Sequence, residues 1–221
     1  MRYLATAFAG EGPTDYKFLA RLVERHVEAL VAERGDALVE VGPIRLVLPD
    51  GRASNQKMAV VHEFTAGKVF ADVLFVHTDA GKGRPDALTS RVRPIADALA
   101  GSRARPIVVG VVPDRETEAW MLADVGALER ILGVADGFLD PVAKPREVHT
   151  RLDPKRDLRE LVASIDSAQS HSARRRGGQR VERIYAGLAD EVSFEILDQV
   201  PAFRAYRQAL ESALTRLEYF S

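Results

Sequence analysis

Short apolar runs alternate with stretches of helical period through the first half of the chain. No other feature restricts the fold as much. Tyr3-Leu4-Ala5-Thr6-Ala7-Phe8-Ala9, Val73-Leu74-Phe75-Val76 and Pro106-Ile107-Val108-Val109-Gly110-Val111-Val112 are short and bounded by turn residues, so they read as buried strands. Val39 to Leu48, broken by Gly42-Pro43, reads as a further strand or strand pair. A helix with Thr14 as its N-cap is expected to run to about Arg34. There Phe18, Leu19, Leu22, Val23, His26, Val27 and Leu30 share one face, and Gly35 ends it. Asn55 to Ala66 is expected to be a short helix, and Asp86 to Leu99 a helix strained near Pro94. Pro113-Asp114 turns the last apolar run into a helix holding Arg115 to Leu122. Strands alternating with helices imply an α/β fold with a mostly parallel sheet flanked by helices.

Past about residue 124 the strand pattern stops. Segments near 125–132, 154–166, 180–198 and 201–218 read as helices, with a polar, basic loop from Ser164 to Gln179. The expected organisation is an α/β core over residues 1–124 and a helical C-terminal extension over residues 125–221, with a basic loop near 174–180.

Composition narrows the function classes. Of 221 residues, 46% are hydrophobic and 29% charged, which suits a packed globular chain rather than a disordered one. The absence of cysteine excludes disulfides, thiolate zinc sites, iron–sulfur clusters and a cysteine nucleophile. No apolar run approaches the roughly 18–20 residues of a membrane span. The N-terminus lacks a signal-peptide layout, so a cytoplasmic location and no membrane partner are expected. The net charge of −1 excludes a protein that coats nucleic acid over its whole surface. Residues 144–183, however, carry 11 basic and 6 acidic side chains, so polyanion contact should favour that segment.

In an open parallel sheet, ligands bind beyond the carboxyl ends of the strands. Glu11 lies just past the first strand, His77 and Asp79 past the Val73–Val76 strand, and Asp114, Glu116 and Glu118 past the Val108–Val112 strand. Asp72 opens its strand and belongs to the opposite edge. Carboxylates converging on one rim repel unless a cation joins them, and hard Mg²⁺ or Mn²⁺ is the natural counter-charge. Glu11 and Asp79 supply oxygen ligands, and His77 adds a nitrogen that suits Mn²⁺ better than Mg²⁺. Lys82, in the loop with Asp79, is a candidate phosphate contact or a solvated lysine. His26 and Trp120 sit where packing explains them. No phosphate-loop or serine-elbow motif is present.

Glu11-Gly12-Pro13-Thr14-Asp15 directly after an apolar strand resembles the E-G-x-T-[DE] opening of Toprim-related proteins. The second Toprim signature, D-x-D after a later strand, falls on His77-Thr78-Asp79. Val112-Pro113-Asp114-Arg115-Glu116-Thr117-Glu118-Ala119-Trp120-Met121-Leu122 resembles the strand–Pro–acidic–Glu-x-Trp-Leu pattern of an uncharacterised Toprim-like bacterial family, akin to RloB-type and OLD-type proteins. The late helix with Phe203, after Pro201, also fits that family. The resemblance implies a Toprim-like sheet and metal-dependent phosphodiester chemistry. It implies Glu11 as the acid/base or metal-side carboxylate and Asp79 as a metal ligand. His77 stands where the family has its first aspartate, which puts metal preference, or catalysis itself, in question. Glu118 is then expected to replace the missing charge. A bacterial defence role follows from this analogy alone.

Arg174-Arg175-Arg176-Gly177-Gly178-Gln179-Arg180 has the composition of a phosphate-contacting segment, or of an exposed flexible loop. Three functions stay open on these residues. The leading one is a Mg²⁺- or Mn²⁺-dependent nuclease or related phosphotransfer enzyme acting on nucleic acid through Glu11, Asp79 and Glu118. The second is a non-catalytic Toprim-like module that binds nucleic acid or a partner protein from the same operon. The third is an enzyme of small phosphorylated metabolites.

Overall fold

The computed structural model describes residues 2–35, 38–48, 56–80, 83–102, 105–168 and 177–220. The first apolar run forms β1 (Arg2–Leu4) and β2 (Thr6–Ala9), one line of chain interrupted at Ala5. At the break the Asp72 carboxylate accepts the Ala5 N–H at 2.8 Å, so this acid has a structural role at the amino edge. The second run divides at Gly42-Pro43 into β3 (Val39–Val41) and β4 (Arg45–Leu46), which pair in parallel with β1 and β2. β5 (Val73–His77) lies on the other side of β2, and β6 (Ile107–Val111) lies beside β5, both parallel. The order β4-β2-β5-β6 makes the fold an α/β sheet with its first strand inside.

The alternation of side chains along the central strands assigns each helix to a face. Phe8 and Phe75 are paired in register and point into one apolar cluster, while Ala7, Ala9, Leu74 and Val76 point into another. Helix α1 (Pro13–Arg34) packs on the first face through Phe18, Leu19, Leu22 and Val23. Helix α2 (Gln56–Thr65) packs on the second through Val60 and Phe64. So does the helical run Arg84–Ala100, through Ala87, Val92, Ile95 and Leu99. Each fully buried side chain of Val, Leu, Ile or Phe size contributes about 1.5–3 kcal/mol.

The run 84–100 shows how Pro94 is accommodated. It consists of α3 (Arg84–Ala87), a π turn (Leu88–Val92) and α4 (Arg93–Ala100). A proline inside a helix lacks the N–H for the carbonyl four residues back and collides with that carbonyl. The wider π turn just before Pro94 absorbs both effects, so the strain expected from sequence takes a specific form.

The remaining helices are α5 (Glu118–Leu122), α6 (Val125–Leu132), a 3₁₀ turn (Pro145–Thr150), α7 (Pro154–Ala168), α8 (Gly177–Glu191), α9 (Phe194–Leu197) and α10 (Pro201–Arg216). Trp120, Leu188, Phe203 and Leu214 join the same apolar cluster as α1 and Phe75. Packing therefore explains Trp120, which is fully buried with its ring edge-on to Phe203. His26 is buried among Phe194, Phe203 and Tyr206.

Three local expectations need correction. The N-cap of α1 is Gly12, not Thr14. Pro13 takes the first helical position, where a missing N–H costs nothing, and the Asp15 carboxylate reaches back to the exposed N–H groups. The helix after β6 begins at Glu118 rather than Arg115, because Arg115 adopts φ +67° and breaks the turn. The helical stretch near 180–198 divides into α8 and α9 at Val192-Ser193, and parts of the expected 164–179 loop belong to α7 and α8. No helix among the described residues is long and apolar enough to cross a membrane.

Candidate active site

The strand order creates a crevice. From β2 the chain enters α1 on one face, and after β5 it enters the 84–100 helical run on the other. Between adjacent parallel strands whose connections diverge, the carboxyl edge is left open to a ligand. Glu11 follows β2, and Thr78 and Asp79 follow β5, so the crevice lies between the two strand ends.

On one wall, Asp15 organises the turn after β2. Its Oδ2 accepts the backbone N–H groups of Glu11 at 3.0 Å and Gly12 at 2.7 Å. That leaves its Oδ1 directed at His77, with 3.5 Å to Nε2. Tyr16 adds a second brace, bonding to Gly10 and donating to the Val47 carbonyl at 2.9 Å. The Glu11 side chain is thereby held out over β5. Its Oε1 accepts the Thr78 hydroxyl at 2.6 Å and Nη1 of Arg91 at 3.1 Å. Arg91 also donates to Thr78 Oγ1 at 2.9 Å, which closes a three-membered network.

His77 is almost wholly buried at the end of β5. Its Nδ1 lies 2.9 Å from the Val111 carbonyl, which can only accept, so Nδ1 carries the proton there. Nε2 consequently faces the crevice, 3.5 Å from both Asp15 Oδ1 and Thr117 Oγ1 and 3.7 Å from Asp79 Oδ1. Asp79 remains 43% exposed. Its carboxyl is pushed up to about 6, chiefly by burial; the His77 ring opposes this, and the carboxylates of Glu11, Asp15 and Glu118 add to it.

Glu118 stands at the third strand end. It is buried, accepts the Tyr185 hydroxyl from α8, and lies 3.9 Å from Nζ of Lys155 on α7. It acts on Asp79 through its charge. Glu116 is used elsewhere. It accepts the Lys155 backbone N–H at 3.0 Å and so anchors the first turn of α7. Lys82, Arg174, Arg175 and Arg176 lie outside the described residues, and Arg180 falls within α8.

No family model, curated protein or solved structure matches this chain, so its own geometry is the ground for a function.

The strand-end rule put Glu11, His77, Asp79, Asp114, Glu116 and Glu118 at one edge of the sheet. It missed Asp15, Thr78, Arg91, Thr117 and Tyr185. Asp15 had a local signal, since an acid at the third helical position is where a carboxylate can reach back to the turn. Arg91 and Tyr185 had none, being 80 residues from Glu11 and 67 from Glu118 along the chain.

Among the described residues, no group of three or more His, Asp or Glu side chains is arranged to hold a metal ion. The donor chemistry nevertheless suits a hard divalent cation. Mg²⁺ is commonly held by one or two carboxylates, with water and substrate phosphate completing the shell, so a closed protein cage is not required. Asp79 is half exposed and loaded with neighbouring negative charge, as such a ligand should be.

Proposed function

We propose that the protein is a Toprim-like, Mg²⁺- or Mn²⁺-dependent nuclease or related phosphotransfer enzyme acting on nucleic acid. One observation carries the reading most directly. A half-exposed, charge-loaded aspartate, Asp79, lies beside the crevice-facing Nε2 of His77, at the point where the sheet connections diverge. A divalent ion at Asp79, with Glu11 or His77 as a further ligand, would polarise a phosphoryl oxygen and activate water.

The chain's own residues divide the work in this reading. Glu11 is the general base that takes a proton from the attacking water. Thr78 holds its carboxylate in place through Oε1, the same oxygen that Arg91 bonds. His77, with Nδ1 tied to Val111, keeps its ring plane fixed and Nε2 on the crevice. Glu118 contributes negative charge from a buried position fixed by Tyr185. Arg174, Arg175, Arg176 and Arg180 supply phosphate contacts along the polymer, and Lys82 one further contact. A role in bacterial defence remains an extension of the motif resemblance.

The test is cleavage of plasmid DNA, single-stranded DNA and transfer RNA with Mg²⁺ or Mn²⁺, beside EDTA and an Asp79→Ala control. Metal-dependent cleavage that disappears in the variant is the expected result. Absence of cleavage by folded protein would overturn the enzyme reading.

One observation favours a second reading, a non-catalytic nucleic-acid or protein binding module. Glu11, the expected base, is engaged by Arg91, and no three-ligand metal group occurs among the described residues. Binding that persists in EDTA and in Asp79→Ala, without cleavage, would select it.

A further inference from the structure

We propose that Arg91 is the residue that receives a substrate phosphate, and that its bond to Glu11 is a latch released by that phosphate. The inference rests on the nucleic-acid reading of the crevice and names the group that recognises the phosphodiester there.

Three observations carry it. First, Arg91 belongs to the π turn that precedes Pro94, and the helix departs from its regular winding where this side chain reaches the site. Second, that turn is seated against β6 by a glycine. A Cβ at Gly110 would lie 2.6 Å from Cδ2 of Leu88 and 3.4 Å from Cγ2 of Val92, so the side chains of the turn lie directly on the β6 backbone there. Third, the guanidinium is bound yet accessible. Nη1 donates to Glu11 Oε1 and Thr78 Oγ1, while the side chain remains 52% exposed.

An exposed carboxylate–guanidinium pair holds weakly in water. A phosphate offers the same guanidinium two oxygens in matching geometry, so it competes well with a single carboxylate oxygen. Moving Arg91 from Glu11 to phosphate does two things together. It seats the anion beside Asp79, and it frees Glu11 Oε1 from a cation that would otherwise weaken it as a base. Lys155 is placed differently, since its ammonium stands by the buried Glu118.

The test measures binding in EDTA, so that it is independent of cleavage. Fluorescein-labelled single-stranded DNA and transfer RNA are titrated with the full-length protein across a salt series. Arg91→Gln should weaken binding several-fold, and should lower the salt slope for the single strand by about 0.7, the value for one lost phosphate contact. Arg91→Lys should restore the slope. Glu11→Gln should tighten binding, and this gain should vanish in the Arg91→Gln background. Thermal melts confirm that each variant is folded.

An unchanged slope in folded Arg91→Gln, a Glu11→Gln gain that survives without Arg91, or failure of the wild type to bind either probe would overturn the proposal. The nuclease reading fails separately. Absence of metal-dependent cleavage by the folded wild type removes that reading and leaves the slope result standing. Cleavage lost in Asp79→Ala with an unchanged Arg91→Gln slope removes only the role of Arg91.

Discussion

Tyr185 on α8 donates its hydroxyl proton to Glu118 at the start of α5, so the helical half of the chain fixes a carboxylate at the carboxyl edge of the sheet. Both residues are buried, and burial together with the Glu118 charge pushes the Tyr185 hydroxyl up. A buried carboxylate that loses its donor keeps its desolvation cost. Tyr185→Phe should therefore destabilise the protein by about 1–3 kcal/mol. Urea unfolding followed by the fluorescence of Trp120 measures this. If the proposed metal-dependent cleavage also relies on Glu118, Tyr185→Phe should lower its rate while Asp79 is unchanged.

Asp79 gives the site a pH dependence of defined sign. Its folded-state carboxyl titrates near 6, above its ordinary value of 3.8. Folding therefore takes up a proton between those values, and the group's contribution to stability falls as pH rises from about 4 through 6. Above pH 6 the ionised form is a net cost, reduced by the solvent access of this half-exposed side chain. Asp79→Asn should raise the melting temperature at about pH 7.5 and have little effect at about pH 3. Equal shifts at both values would contradict the charge-loading of the crevice.

His26, buried among Phe194, Phe203 and Tyr206, predicts acid sensitivity of its own. Burial, assisted by the Arg207 charge, pushes its imidazole down to about 3. The unfolded chain protonates this histidine near its ordinary value of 6.5, and the folded chain does not. Stability is then lost as pH falls from about 6.5 towards 3, with a slope of at most about 1.4 kcal/mol per pH unit from this group. His26→Phe should flatten that limb in chemical denaturation between about pH 6.5 and 4. The loss of the Tyr206 partner, 3.3 Å from Nδ1, should lower stability at neutral pH.

The aromatic junction beneath the sheet should be costly to open. Phe203 is fully buried, edge-on to Trp120 at 5.2 Å between ring centroids. Phe203→Ala should cost about 3–5 kcal/mol, from lost burial and the cavity left behind. Because Trp120 is the single tryptophan, its emission should shift as its surroundings loosen. A loss below about 1 kcal/mol would show that the junction collapses around the gap.

The strands, the main helices and several of their ends were legible in the residues alone. Those are local matters, set by apolar period and by glycine and proline at the breaks: Gly35 after α1, Gly42-Pro43 between β3 and β4, and Pro94 in the helical run. The positions of Glu11, His77 and Asp79 at strand ends on one edge were legible too, since parallel strands share a direction. Where helices start was less so. Asp15 and Gly12 outcompeted Thr14 at α1, and the positive φ of Arg115 delayed α5. That β2 and β5 are neighbours, that Arg91 lies on Glu11 and Thr78, and that Tyr185 holds Glu118 became visible in the folded chain and nowhere earlier. These contacts join segments separated by many turns of chain, and their partners are chosen by how non-local surfaces pack. No local pattern of residue types encodes that choice.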